Sequence, residues 1–441
     1  MGWIAPKGPR RSDFCRRIDK VPYHTPALSA GCVLHFREEF RVTNRIGVHK
    51  VFKLALSAAA FGILAVAATG GIAQDGPMKV GLLLPLQTPS GYETSVGAEM
   101  AVAEINAAGG ILGRQVELVK ADDQSNPTTA VAEVKRLIET EKIDALLGSV
   151  ISQVVLAVSP HVVKADIIQF GVAGSSAVTP EAAPNFFSSY FNSDAQGETM
   201  FRYAAEDLKA KSIGILAESG SQAQNGVEHI KKLAAAAGVT VTGVQSFDAR
   251  SPDFTPQLLD LKGGNPDVML FWMIQQEDVV TYLKNVKDLG WDIKTSASGV
   301  GAAGANYVKS ALGEGWMDNI HGTLLRLNTY CPGEPLNGSD WTGFLERIKA
   351  FNPKDVEKLN PGNIIMLYNA TYALKAGAEG AGSLDPKAIR EYMETHEVKI
   401  PTGISKTSPT AHFMIGADDI VTVTGPDKPR EDGLIQRARC G

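Results

Sequence analysis

The 441-residue sequence lacks the short motifs that mark many enzymes. It contains neither a G-x-S-x-G nucleophile elbow nor a G-x-x-x-x-G-K-[ST] phosphate-binding loop. Its eight histidines are scattered, and none has a His or Cys partner at the spacing of a metal site. We therefore expect no catalytic centre, no metal site and no cofactor.

Aromatic residues and positive charge are also sparse. Aromatic residues make up 7% of the chain. Residues 1–73 hold eleven of the 43 Lys and Arg and only four of the 48 Asp and Glu, so residues 74–441 carry a formal charge near −12. Nonspecific nucleic-acid binding depends on basic surfaces. The acidic body of the chain therefore argues against a nucleic-acid partner.

No apolar run is long enough for a confident transmembrane helix. The apolar residues 54–68 follow a basic stretch, residues 49–53, and precede small residues ending at Ala73. This order is typical of a secretory signal peptide cleaved before Gln74, and the alternative is an uncleaved N-terminal anchor. No cysteine follows the run, so a lipid anchor is not indicated. The predicted location is the periplasm.

The segment before this leader is unusual for a secreted protein. Residues 1–47 are basic, contain four prolines and show no clear periodicity. Signal peptides rarely follow such an extension. We therefore expect residues 1–47 to be an over-extended reading frame, with translation beginning near Val48 and the signal peptide spanning residues 48–73.

The stretch from Met78 to Asn126 predicts a strand, a helix and a second strand. Residues 80–86 form an apolar run, residues 97–105 show helical spacing, and residues 115–119 begin another apolar run. Such a βαβ unit implies a parallel sheet. Strands and helices continue to alternate to about residue 325, which predicts an α/β fold of doubly wound sheets. Residues 411–415 and 420–424 are predicted to form a β-hairpin.

Two polar loops follow predicted strands and open helices in this first series. They cover residues 148–152 and 173–176. Ligands of parallel sheets bind beyond the carboxyl ends of the strands, and helix N-terminal amides favour anions. These loops therefore suit a carboxylate. Ordinary helix capping by Ser152 and Ser175 explains them equally well.

Residues 299–304 match G-x-G-x-x-G, the pattern of a dinucleotide-binding turn. That site needs a buried strand directly before the glycines, whereas residues 294–298 are short and polar. We therefore expect a flexible loop at a cleft entrance that opens a helix at Ala305. A NAD-dependent enzyme remains the weaker alternative.

The opening stretch resembles the type I periplasmic solute-binding proteins of the branched-chain amino acid (Leu/Ile/Val-binding) ABC transporter group. The matching residues are 79–81, 97–99, 101–110, 113–114 and 122–123, and the resemblance covers most of the chain after Gln74. It implies two doubly wound lobes joined by a three-strand hinge that can close on a ligand. Lobe 1 would comprise residues 78–196 with 330–401, and lobe 2 residues 197–329 with 402–441.

The resemblance also implies a role and a binding site. Such a monomeric receptor would deliver a small amino acid or carboxylate to the membrane permease subunits of an ABC importer. A ligand-sensing receptor domain of the same fold is the alternative. The family holds the ligand carboxylate at positions that correspond to Ser152 and to Ala173, Gly174 and Ser175. Further candidate ligand contacts are Tyr92, Asn225 and Gln275.

The second lobe departs from the family pattern. The family usually anchors the ligand amino group on an acid, but the corresponding residues 296–301 contain none. The family also has an aromatic residue after the strand that corresponds to residues 267–273. In this sequence the residues there, 274–276, are Ile-Gln-Gln. Glu277 could substitute, although it is better placed in the first turn of the next helix. Phe271 and Trp272 would form either an aromatic wall or core. We expect apolar or aromatic carboxylates to compete well with leucine.

Of the four cysteines, Cys331 and Cys440 lie beyond the leader. Cys331 is at the second predicted crossing between lobes and Cys440 is the penultimate residue. In an oxidising compartment we expect them to form a disulfide, the alternative being two free thiols.

Overall fold

The computed structural model describes residues 76–336, 341–354, 356, 359–401 and 403–440. The predicted reading-frame extension and signal peptide, residues 1–73, lie outside these described residues. None of the described helices is long and apolar enough to cross a membrane.

The first sheet has five parallel strands in the order β2-β1-β3-β4-β5. Its strands are β1 (Met78–Leu84), β2 (Val116–Asp122), β3 (Ala145–Gly148), β4 (Ile168–Gly171) and β5 (Phe186–Ser188). The connecting helices are α1 (Pro89–Ala107), α2 (Pro127–Arg136) and α3 (Ser152–Lys164). Local sequence sets their beginnings: Thr88 caps α1 by accepting from the Gly91 N–H, and Asn126 caps α2. The predicted βαβ opening is present.

The second sheet repeats this order. Its parallel strands run β7-β6-β8-β9-β10, and β14 adds an antiparallel edge beside β10. The strands are β6 (Ser212–Glu218), β7 (Thr240–Phe247), β8 (Val268–Trp272), β9 (Thr295–Ala297), β10 (Ile320–Leu325) and β14 (Ile420–Thr424). The associated helices are α4 (Ser193–Arg202), α5 (Ser221–Ala237), α6 (Thr255–Gly263), α7 (Gln276–Asp288), α8 (Gly299–Ala303) and α9 (Ala305–Leu312).

After β10 the chain returns to the first sheet through three helices. They are α10 (Trp341–Phe351), α11 (Pro361–Ala381) and α12 (Pro386–Thr395). Helix α11 packs against α1, where a Cβ on Gly97 would lie 2.0 Å from the Ile364 carbonyl oxygen. Only glycine permits this close approach. We call each sheet with the helices packed on it the first and the second lobe; the residue boundaries given above stay predictions.

The short strands and turns complete the described structure. The remaining strands are β11 (Thr329–Tyr330), β12 (Glu397–Ile400), β13 (Gly403–Lys406) and β15 (Ile435–Gln436). Strands β12 and β13 form a hairpin, and β11 pairs with β15. Cys331, next to β11, is joined to Cys440 by a disulfide, which ties the chain end to the crossing after β10.

The hairpin predicted for residues 411–415 and 420–424 is wrong. His412 and Met414 instead exchange backbone hydrogen bonds with Ser188, so this segment lines the edge of the first sheet. Residues 420–424 form β14 at the edge of the second sheet. Both segments alternate as strands do, but their partners are distant strands, which local alternation does not reveal.

Apolar side chains fill both faces of each sheet. In the first lobe, β1 and β3 are buried on both faces, between α1 and α11 on one side and α2 and α3 on the other. In the second lobe, Phe271 and Trp272 point to opposite faces of β8 and belong to separate apolar clusters. These clusters give each lobe its own apolar core.

Candidate functional site

A cavity of about 60 Å³ lies between the two lobes, beyond the carboxyl ends of their strands. Pockets for drug-sized ligands are typically about 300–1,000 Å³. Beside this cavity the lobes are in direct contact through the hydrogen bond from Gln276 to Glu93, and we call this arrangement the closed conformation. The lining residues are Ser90, Thr94, Val150, Val172, Tyr190, Gln196, Gln222, Met273, Ile274, Gln276, Ser298, Val300, Asn363 and Met366.

The first lobe contributes two helix faces and two strand ends. Ser90 and Thr94 are four residues apart on α1 and therefore share one face of that helix. Asn363 and Met366 lie one turn apart on α11. Val150 and Val172 follow β3 and β4, so this wall is apolar at its base and polar along its helices.

The second lobe contributes a wall of amides and hydroxyls. Gln222 and Gln276 occupy the first turns of α5 and α7. The Ser298 hydroxyl lies 2.9 Å from the Met273 carbonyl oxygen and donates to it. On the crossing helix α4, Gln196 Oε1 accepts from the Gly299 N–H at 2.8 Å. These bonds hold the loops after β8 and β9 in place.

None of the described lining residues is charged. The nearest carboxylate on α1 belongs to Glu93, which is only 4% exposed and is not among the lining residues. Its oxygens accept from Gln276 Nε2 at 2.9 Å, from Asn363 Nδ2 at 2.8 Å and from the Asn360 N–H at 2.9 Å. Because burial removes water from this carboxylate, its pKa rises to about 7 despite these three donors. Glu93 therefore links the lobes through Gln276.

The predicted carboxylate loops do come together. Ser152 is 2% exposed, and its Oγ accepts from the Ser175 N–H at 3.0 Å. The Ala173 carbonyl accepts from the Ser188 hydroxyl. A Cβ on Gly174 would lie 2.5 Å from Gln222 Nε2, so the second lobe closes directly over this loop. These four residues adjoin the cavity but are not among its lining, and their role stays a prediction.

The other predicted contacts lie apart from the cavity lining. Tyr92 is 45% exposed, and its hydroxyl accepts from Asn352 Nδ2 at 3.4 Å. It lies between Ser90 and Thr94 in sequence, but helical rotation turns it away from their face. Asn225 follows Gln222 by one turn on α5, and Gln275 is buried just before α7. Neither is among the lining residues, and their ligand contacts stay predictions.

The aromatic pair in β8 is core. Phe271 stacks on Tyr282 with ring centroids 4.0 Å apart. Trp272 packs against α5, where a Cβ on Gly226 would lie 2.1 Å from its ring. Glu277 lies in the first turn of α7, and it is not among the lining residues. Among the lining residues that the structure describes, those of the second lobe therefore include neither an aromatic side chain nor an acid.

The prediction of a flexible loop at residues 299–304 is wrong, but a helix, α9, does begin at Ala305 as predicted. Residues Gly299–Ala303 form the short helix α8. The glycines permit close packing: a Cβ on Gly299 would lie 2.7 Å from the Tyr190 hydroxyl, and one on Gly301 would lie 2.4 Å from Ala297 Cβ. The G-x-G-x-x-G pattern is therefore explained by tight contacts with neighbouring side chains.

Sequence reasoning missed most of the lining. The rule used for the first lobe, that polar residues after a strand and at a helix start face the cleft, applies equally to Gln222 and Gln276. Gln196, Asn363 and Met366 have no such signal, because α4 and α11 reach the cleft only through the arrangement of the lobes.

Residues 77–428 match the family model described as periplasmic binding protein. This chain belongs to that family. It is therefore a solute-binding protein and not an enzyme. Among curated relatives, it is 25% identical over 346 residues to the leucine-, isoleucine-, valine-, threonine-, and alanine-binding protein of Pseudomonas aeruginosa, covering 77% of this chain and 83% of that protein. It is 26% identical to a Brucella suis Leu/Ile/Val-binding protein homolog, covering 74% and 82%.

Solved structures share the two-lobed fold. A type 1 periplasmic binding protein from Bordetella pertussis aligns with a TM-score of 0.71 at 22% identity, covering 82% of this chain and 100% of that one. A Rhodopseudomonas palustris solute-binding protein in complex with 4-hydroxybenzoate aligns at 0.70 and 18% identity, covering 82% and 96%. The isoleucine complex of a Streptococcus pneumoniae branched-chain amino acid transporter substrate-binding protein aligns at 0.67 and 18%, covering 81% and 97%.

Proposed function

We propose that this protein is the periplasmic substrate-binding protein of an ABC importer of the branched-chain amino acid type. Its ligand is a small carboxylate held between the lobes, and apolar or aromatic acids compete well with leucine for the site. The relatives in complex with isoleucine and with 4-hydroxybenzoate support this range, because one fold accepts both kinds of carboxylate.

The uncharged lining is the observation that carries this proposal. An α-amino acid brings an ammonium group, and burying that group without a counter-charge is unfavourable. The described lining has only amides, hydroxyls and apolar side chains. Glu93 does not fill this role, because its two oxygens already accept three hydrogen bonds and its pKa is raised to about 7.

The loops after β3 and β4 supply a hydrogen-bond donor for the ligand carboxylate. Ser152 Oγ accepts from the Ser175 N–H, which leaves the Ser152 hydroxyl proton able to donate to a ligand. Hydrogen bonds to a charged acceptor are stronger than neutral ones. Because Gln222 covers this loop in the closed conformation, a ligand reaches it when the lobes are apart and is enclosed as they close.

Calorimetry on ligand-stripped protein tests the proposal. Leucine, its deaminated keto acid, benzoate and 4-hydroxybenzoate should be titrated separately. We expect the keto acid or an aromatic acid to bind at least as tightly as leucine. Tight leucine binding, with no binding of the keto acid or the aromatic acids, would refute the proposed ligand class.

A pair of serine variants on α3 locates the carboxylate. Ser152→Ala removes the hydroxyl that we propose donates to the ligand carboxylate. We expect the affinity for the carboxylate to fall by about tenfold, the effect of losing one charge-assisted hydrogen bond. Ser159→Ala is the matched control, because the Ser159 hydroxyl donates to the Ala182 carbonyl and does not line the cavity. Equal affinities for both variants would place the carboxylate elsewhere.

A further inference from the structure

Two amide side chains that line the ligand cavity are held by one buried carboxylate. Gln276, of the second lobe, and Asn363, of the first, both belong to the cavity lining. Their amide nitrogens contact the same atom, Glu93 Oε2, at 2.9 Å and 2.8 Å. Glu93 is 4% exposed and is not among the lining residues. The two amides are therefore neighbours that share one anchor outside the lining.

The ionised form of this anchor fixes which end of each amide points toward it. A carboxylate accepts hydrogen bonds and has none to donate. At pH 8, above the pKa of about 7 of Glu93, the group is mainly ionised, so Gln276 and Asn363 must turn their N–H groups toward it. The third partner, the backbone N–H of Asn360, also needs an acceptor.

The carbonyl oxygens of the two amides are left for the cavity. In the part of the chain that the structure describes, neither Gln276 Oε1 nor Asn363 Oδ1 has a hydrogen-bond partner, and neither atom is fully buried. Gln276 as a whole is only 2% exposed, so its small accessible area is the part that lines the cavity. Each amide therefore offers a hydrogen-bond acceptor to a ligand.

Thr94, which follows Glu93 on α1, adds a third acceptor. Its hydroxyl donates to the Ser90 carbonyl at 2.6 Å, so its oxygen lone pairs are what it offers to the cavity it lines. Helices α1, α7 and α11 thus each contribute one acceptor beside Glu93. A polar ligand group enclosed there has to donate, because an acceptor facing acceptors loses its hydrogen bonds.

The lining residue Gln196 has the opposite polarity. Its Oε1 accepts from the Gly299 N–H at 2.8 Å, and its nitrogen has no partner among the described residues, so the N–H end is free. The Ser152 hydroxyl is the donor already assigned to the ligand carboxylate. Donors and acceptors therefore come from different residues, and the acceptors are of no use to a carboxylate.

We propose that Glu93 is a positioning residue that makes the site selective for carboxylates that also carry a hydroxyl group, which donates to Gln276 Oε1 or Asn363 Oδ1. The selectivity rests on the proposed function, because it specifies which carboxylates the cavity prefers. The uncharged lining favours a hydroxyl over an ammonium group as the donor.

Calorimetry at pH 8 on ligand-stripped protein compares 3- and 4-hydroxybenzoate with 3- and 4-methylbenzoate. A methyl group is similar in size to a hydroxyl but cannot donate, so the two acids of each pair differ chiefly in this hydrogen bond. We expect the hydroxy acid of at least one pair to bind about tenfold more tightly than the methyl acid. Binding of all four acids without this preference would overturn the selectivity alone, whereas no binding of any of them would refute the proposed ligand class as well.

Glu93→Leu separates positioning from a general structural effect. Leucine is similar in size to glutamate but accepts no hydrogen bond, so the two amides lose their fixed orientation. The tenfold preference should fall to about twofold or less. A purely structural effect would weaken both acids of a pair equally and leave their ratio unchanged, which would overturn the positioning role. Glu99→Leu is the matched control, because Glu99 lies on the same helix, pairs with Lys120 and does not line the cavity.

A neutron crystal structure of the unmodified, ligand-free protein at pH 8 tests the amide orientation without any variant or ligand. Deuterons on Gln276 Nε2 and Asn363 Nδ2 should both point toward Glu93 Oε2. A carbonyl oxygen of either amide pointing toward Glu93 would overturn the positioning role, even if Glu93→Leu does not fold.

Discussion

The buried carboxylate of Glu93 predicts a specific dependence of stability on pH. The pKa of this group rises from 4.5 to about 7 in the folded protein because burial disfavours its charged form, and the nearby Glu277 raises it further. At 4% exposure, solvent screening is slight. Since each pKa unit corresponds to about 1.36 kcal/mol, this one group changes the free energy of unfolding by about 3 kcal/mol.

The direction follows from which state holds the proton. Between pH 4.5 and 7 the unfolded chain has released the Glu93 proton, whereas the folded protein still holds it. The unfolded state therefore binds fewer protons, and raising the pH favours unfolding. The stability contributed by this group is complete below pH 4.5 and is lost as the pH rises through about 7.

Urea denaturation of the unmodified protein and of Glu93→Gln, from pH 4.5 to pH 8, measures the effect. Glutamine does not ionise, and its single oxygen can still accept from Gln276 and Asn363. From pH 4.5 to pH 8, the free energy of unfolding of Glu93→Gln should fall by about 3 kcal/mol less than that of the unmodified protein. Glu218 and Asp278, whose pKa values also rise to about 7 through burial, act in both proteins and cancel in the difference.

The control is Glu117→Gln, in which an exposed carboxylate of β2 is removed. Its pH dependence should run parallel to that of the unmodified protein. If the free energy of unfolding of Glu93→Gln also depends on pH as that of the unmodified protein does, Glu93 is not protonated at neutral pH in the folded protein. The reasoning from its burial would then be refuted.

Two further predictions concern the tail and export. The disulfide Cys331–Cys440 closes a loop with a sequence separation of 109, so Cys331→Ala with Cys440→Ala should lower the free energy of unfolding by about 4–5 kcal/mol on the chain-entropy model. Thiol titration of unreduced, denatured protein should find no free thiol beyond the leader; finding two would contradict the pairing. Protein released from the periplasm should have the intact mass of a chain beginning near Gln74, and a mass that still includes residues 54–68 would show that the leader is retained.

Local periodicity was enough to predict the alternating strands and helices of an α/β fold, whereas the two lobes were implied by the family resemblance. Strand β1 lies within two residues of the predicted apolar run, whereas α1 begins at Pro89, eight residues before the predicted helix at 97–105. The polar loops after β3 and β4 were predicted to suit a carboxylate because both follow strands of a parallel sheet, whose ligands bind beyond the strand carboxyl ends.

Only the tertiary structure decided which side chains line the cleft. Ser90 and Thr94 line it and Tyr92 does not, a difference set by how α1 is rotated against α11 through the contact at Gly97. Gln196, Gln276 and Asn363 come from three separate segments, and they meet because the chain crosses between lobes and the lobes close. Residues 420–424 had the alternation of a strand, but their partner, β10, lies about 100 residues earlier in the chain. A local pattern predicts which residues form a strand or helix, whereas long-range packing determines what that element contacts.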